Sequence, residues 1–198
     1  MNKDTIVGVV GAVILVIAMI GVFKYEGDQA GSATGGRNAF DVAWSTTDKA
    51  GPSADGSVNL KGSADGALKV AEANVTKATF ALTWTATNGK DKLKLTVTSP
   101  SGEAKTAESD TGTVNVAFDV APLPPATTAR GDDANAAKKG LAPQAGANAA
   151  VGEWKLKVEF LDATGIQLHP AQPPIQQDQK VSWKVSSLLT VWEPKVGA

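Results

Sequence analysis

Cysteine is absent from the chain, histidine occurs once, at His169, and methionine only at Met1 and Met19. Without thiols there can be no disulfide, thiolate nucleophile, thiolate zinc site, iron–sulfur cluster or covalently attached haem. A blue-copper centre lacks its ligands as well. A surplus of either charge is also missing, since 19 Lys and Arg face 20 Asp and Glu. Nothing in that balance condenses onto a polyanion, so nucleic acid is not an expected partner. Neither a cofactor nor a metal is expected from this composition.

The 198 residues suffice for one domain with attachments, burying roughly two-thirds of the unfolded surface. The first attachment is apolar. Thr5–Phe23 is an uncharged run of 19 residues, and as a helix it would measure about 28 Å at about 1.5 Å per residue, close to a bilayer core. Lys3 and Asp4 precede it and Lys24, Tyr25 and Glu26 follow it. A cleaved signal peptide has a shorter apolar core, of about 7–15 residues, with a small-residue cleavage site close behind. The sequence therefore predicts an uncleaved single-pass anchor over 1–26. The short tail with Lys3 stays inside, which sends the rest of the chain across the membrane. Gly8 and Ala12 form a small-xxx-small pair that would let two such helices approach.

A polar linker covers 27–38, "GDQAGSATGGRN", and beyond it hydrophobicity alternates with period two. "AFDVAWS" sets Phe40, Val42 and Trp44 on one side, and "SVNLKG" sets Val58 and Leu60. Phe80, Leu82 and Trp84 share a side in "ATFALTWTAT", as do Leu93, Leu95 and Val97 in "KLKLTVT". "TVNVAFDV", "EWKLKVEF" and "KVSWKVSSLLTVW" follow the same rule. Strands with one apolar and one polar face predict an all-β domain over 39–194: an antiparallel β-sandwich, jelly-roll or Ig-like, of about 7–8 strands. "SADG" occurs at Ser53–Gly56 and again at Ser63–Gly66, and it reads as a pair of Asp-Gly turns, while "TNGKD" and "SPSGE" read as further turns. The Ala-, Pro- and Gly-rich segment 121–152 has little apolar bulk and reads as a mobile loop.

Four lysines carry the leading site. Lys92 and Lys94, and likewise Lys155 and Lys157, lie two apart and point to the same side, opposite Leu93/Leu95 and Leu156/Val158. Adjacent strands would gather the four amines into a patch for a sulfated glycan, an acidic polymer or a lipid headgroup. The plainer reading is a solvated strand face that discourages edge-to-edge association. Trp44, Trp84, Trp154 and Trp183 fall on the inward parity of their strands. Trp192 falls on the opposite parity with Leu188, so this pair marks either an exposed contact patch or a bulge.

Weaker motifs complete the inventory. "RGD" at Arg130–Asp132 would be reachable in a loop, but a three-residue match arises readily by chance. Asp55, Asp65, Asp110 and Asp132/Asp133 sit in turn-like contexts without the dense alternating ligand run of a calcium loop. A Ser-His-Asp hydrolase would have to use His169, in "LHPAQPP", and no G-x-S-x-G elbow accompanies it. No catalytic residue is assigned. Asn74-Val75-Thr76 is a glycosylation sequon.

"KLKLTVTSPSGE", "GEWKLKVEFLDATG" and "VSWKVSSLLTV" resemble, in that order, the signatures of P-domain-like jelly-roll modules. P domains accompany a protease domain, which this sequence lacks, so the stabilising role of that family does not carry over. The same motifs are similar to GOLD-type luminal sandwiches, which commonly carry a disulfide and a C-terminal anchor. The layout of apolar helix followed by β domain also resembles archaeal pilin or archaellum accessory proteins. Together they imply an extracytoplasmic interaction module. The expectation is a non-enzymatic, membrane-anchored binding, adhesion or accessory domain with a protein or surface-polymer partner. The alternative is a subunit of a filament or membrane complex, a homo-oligomer assembled through the N-terminal helix, with a hydrolase as a distant third.

Overall fold

The computed structural model describes residues 37–85, 90–164 and 180–197. The expected anchor helix, most of its linker and the His169 loop lie outside them. Among the described residues no helix is long and apolar enough to cross a membrane.

The described chain is all-β with antiparallel sheets. The strands are β1 (Asn38–Asn59), β2 (Ser63–Val70), β3 (Val75–Trp84), β4 (Lys90–Thr98), β5 (Ala104–Ser109), β6 (Thr113–Asp119), β7 (Thr127–Gly131), β8 (Gly152–Thr164) and β9 (Lys180–Val196). A five-stranded sheet runs β6-β3-β9-β1-β7 and a four-stranded sheet runs β2-β8-β4-β5. Their apolar faces meet. Phe80, Leu82, Phe118, Val185 and Leu189 from the first sheet pack with Leu93, Leu95, Trp154, Val158 and Phe160 from the second in one buried cluster. The alternation of β3, β4, β6 and β8 dictates this outcome, because every second residue must leave water.

The described residues form nine strands where about seven or eight were expected, and the differences have physical causes. "AFDVAWS" and "SVNLKG" belong to a single strand, β1, of 22 residues. Within it the register against β9 shifts between Ala50 and Ser53. Pro52 has no N–H to give the ladder and its carbonyl instead accepts from Ser187 Oγ at 2.7 Å. The bulge reverses the parity of the strand. Val58, beyond it, enters the main core, whereas Phe40, Val42 and Trp44, before it, face the other side. Trp44 is thus not a residue of the main core.

Neither "SADG" is a turn. Both lie within strands, and the chain reverses at Leu60–Gly62, where Gly62 N–H donates to the Asn59 carbonyl at 2.8 Å. Gly56 serves packing instead. A Cβ there would come within 2.7 Å of the Trp183 ring, whereas one on Gly66 would stand at an ordinary contact distance of 3.8 Å from the same ring. The expectation for "SPSGE" is met: Ser99 Oγ accepts from Glu103 N–H at 3.1 Å between β4 and β5, and Gly102 takes a positive φ of 90°.

The segment 121–152 is not an irregular loop. From the end of β6 it crosses the outer face of the five-stranded sheet, forms β7 against β1 (Phe40 opposite Ala129, Val42 opposite Thr127), and then turns into a short helix, α1 (Ala134–Lys139). Asp133 caps that helix by accepting from Ala136 N–H at 2.8 Å. A second apolar cluster forms here from Val42, Ala129 and Ala137, ringed by Phe40, Trp44, Leu141 and Val196.

Candidate functional site

The four lysines do share one face. β4 and β8 are neighbours, and the outer surface of the four-stranded sheet can be read off their register. One row runs Glu108, Lys94, Glu159, Ser63, and the next runs Thr106, Thr96, Lys157, Asp65. The third runs Ala104, Thr98, Lys155, Ala67. Amines and carboxylates interleave. Lys92 meets Glu108 at 2.6 Å, Lys94 meets Glu159 at 2.6 Å, and Lys157 reaches the other oxygen of Glu159 at 3.1 Å. Lys155 faces Thr98 and Ala67 on its two flanking strands.

Electrostatics follow from this pairing. The hydrogen bonds from Lys94 and then Lys157 hold the Glu159 carboxyl below the usual glutamate range, and the hydrogen bond to Glu108 raises the Lys92 ammonium. The face is locally neutralised rather than basic. It fixes strand register and discourages edge pairing, but it offers no concentrated positive field for a polyanion.

Glu159→Gln should therefore cost little at neutral pH, no more than about 1 kcal/mol, as for other solvent-screened pairs. The sign is set by the lowered pKa. The contribution is full above the pKa of an unfolded glutamate and is lost as pH falls through the lower folded value. Urea denaturation at neutral and acid pH should show a smaller acid-side loss of stability in the variant than in the natural chain.

Leu188 and Trp192 part company. Leu188 is exposed, at 46% of its full area, and Trp192 is buried, at 2%. The expectation of an exposed pair is thus corrected for Trp192. Val191 and Trp192 are both buried because they sit on opposite faces of β9, each with its own cover. Val191 enters the main core, while the Trp192 ring meets Trp44 edge-on at 4.9 Å between centroids. Around Leu188 the outer face presents Thr79 and Ala50 in register.

The remaining motifs are dispersed. In the RGD triplet Arg130 and Asp132 are exposed but Gly131 is buried and pressed against α1, so the triplet is a strand end rather than a presented loop. Asp133 is spent on the helix cap, and Asp55 and Asp65 lie on different sheets, opposite Lys184 and Lys157. Among the described residues no three His, Asp or Glu side chains converge on one point. Asn74 takes a positive φ of 62°. Its N–H donates to the Ala147 carbonyl and its C=O accepts from the Trp192 N–H, and the residue is half-buried.

Glu108 escaped the sequence reading because β5, "AKTAES", points Lys105, Ala107 and Ser109 inward and so carries no bulky apolar signal. Glu159 was visible only as a diluting charge, since its two partners depend on register. The β1–β7 pairing left no apolar trace either.

No known family model matches the chain, and no curated protein shows significant sequence similarity to it.

Proposed function

We propose that the chain is a single-pass, membrane-anchored protein whose β domain stands outside the cytoplasm and acts as a non-enzymatic binding or accessory module. The observation that carries this reading is where the chain enters the domain. β1 starts at Asn38, at the tip of the five-stranded sheet, beside the end of β9: Val42 pairs with Val196 and Gly197 N–H donates to the Asp41 carbonyl at 2.8 Å. An anchor at Thr5–Phe23, reached through the 27–38 linker, would hold the domain by that one end and leave the outer face of the four-stranded sheet free for a partner. Within this reading the domain is a jelly-roll-like or Ig-like module of the kind its β4, β8 and β9 motifs resemble.

Membranes from cells that make the protein provide the test. The full chain should resist carbonate extraction and come off only with detergent, and a chain lacking residues 1–28 should be freely soluble. Release of the full chain by carbonate would end the anchor reading.

One feature favours the second reading, assembly into a filament or membrane complex. On the side of β1 away from β9, β7 ends opposite Val42, and among the described residues no strand pairs there with Ala43–Ala50. Such an open edge accepts a strand from a neighbouring chain. If assembly survives deletion of the N-terminal helix, the helix-driven version of that reading loses its basis.

A further inference from the structure

We propose that Trp44 and Trp192 form a cradle for a proline-rich extended peptide, and that the chain's own segment "APLPPA", Ala121–Ala126, fills this cradle in cis. The path of the segment is fixed at four points. Ala121 N–H is bonded to the Thr76 carbonyl on β3. Pro122 lines a groove with Thr190 of β9. The Pro125 carbonyl accepts from the Trp44 indole N–H on β1 at 2.9 Å. Thr127 then begins the pairing of β7 with β1. The segment is thus held on the Trp44 indole, which in turn meets Trp192 edge-on.

The chemistry is that of polyproline recognition. Three prolines in four residues favour an extended helix with no internal hydrogen bonds, whose carbonyls are free to accept from indole N–H groups and whose rings pack on aromatic faces. From Pro122 to Ala126 the strap makes no backbone–backbone hydrogen bond among the described residues, and Leu123 stands 47% exposed. Between its ends it is held by one hydrogen bond. Beside it the Trp192 indole N–H is buried without an acceptor, as is that of Trp183 in the main core.

A segment so lightly held can be exchanged for one of the same chemistry supplied by a partner protein. The cis strap competes at high local concentration, so a partner peptide binds with its affinity reduced by the fraction of time the strap is lifted. This site lies on the face opposite the charged rows and does not depend on the membrane reading.

The test uses the full-length chain in detergent micelles, with indole N–H resonances as the readout and a synthetic peptide of sequence APLPPATT as the probe. Replacing Pro122, Pro124 and Pro125 together by glycine weakens the strap. The peptide should then shift the Trp44 and Trp192 resonances and bind at least about tenfold tighter than to the natural chain. Adding Trp44→Phe should weaken binding about tenfold, and a peptide with alanines for prolines should not bind. Unchanged indole resonances in the folded variant would overturn the proposal. If the triple variant fails to fold, the natural chain at millimolar peptide decides by the same readout, with a shift supporting the proposal and none refuting it. Self-association that moves these resonances and resists the peptide would assign the cradle to a second copy's strap, and so would also overturn it.

Discussion

Trp154→Ala should lower the unfolding free energy by about 3–5 kcal/mol, the largest loss expected from any single substitution in the core. Trp154 is 1% exposed and sits where the two sheets meet. Its ring lies 4.9 Å from Phe80 and 5.0 Å from Phe118, between centroids, and its indole N–H donates to the Ala150 carbonyl at 2.9 Å. Alanine would remove the aromatic contacts, open a cavity that rigid neighbouring strands cannot close, and leave the Ala150 carbonyl without its donor. Against a domain stability of about 5–15 kcal/mol, the variant would be marginal. Trp154→Phe separates the terms, because it keeps most of the packing and loses the hydrogen bond, for about 1–3 kcal/mol. Urea denaturation of both variants checks the order. A cost below about 1 kcal/mol for alanine would mean that Trp154 does not join the two sheets.

Gly131→Val should detach α1 from the sheet. Gly131 ends β7 directly beneath the helix. A Cβ there would stand 2.8 Å from both Ala137 Cα and the Asp133 carbonyl oxygen, and closer still to the Ala137 nitrogen. These are backbone atoms that cannot rotate away, so the helix itself must move, and Ala137, fully buried, would be uncovered with it. Overpacking of this kind costs about 1–3 kcal/mol and occasionally more. The loss should fall on one region. Limited proteolysis should cut rapidly within 121–151 while the two-sheet core keeps its resistance, and a uniform loss of protection would contradict the separation into two clusters.

Much of the fold was legible because β3, β4, β6, β8 and β9 each carry one apolar and one polar face, and alternation reports burial directly. It failed where alternation is interrupted or silent. The Gly51-Pro52 bulge reverses parity inside β1, which sent Trp44 to a different face from the one its spacing implied. Gly56 and Gly66 read as turn residues, yet both lie within strands, and the missing side chain of Gly56 accommodates Trp183, a long-range demand that no local pattern reveals. β7 and α1 pack through Ala129, Ala137 and Gly131, whose smallness mimics a loop composition.

The candidate site followed the same division. That Lys92, Lys94, Lys155 and Lys157 share a side was readable from their spacing, and it holds. Their neutralisation by Glu108 and Glu159 was not readable, because cross-strand partners are set by register and register depends on the whole sheet. Trp192 stood out correctly as an anomaly of parity. Its ring partner, Trp44, comes from β1, at the other end of the domain's sequence.

The absence of cysteine gives the most direct test of the proposal that the domain is anchored and faces outward. Ala104→Cys introduces a single thiol at an exposed position of β5. Treated with a membrane-impermeant maleimide, intact cells making this variant should label it as completely as lysed cells do. Labelling that appears only after lysis would place the domain on the inner side and contradict the account.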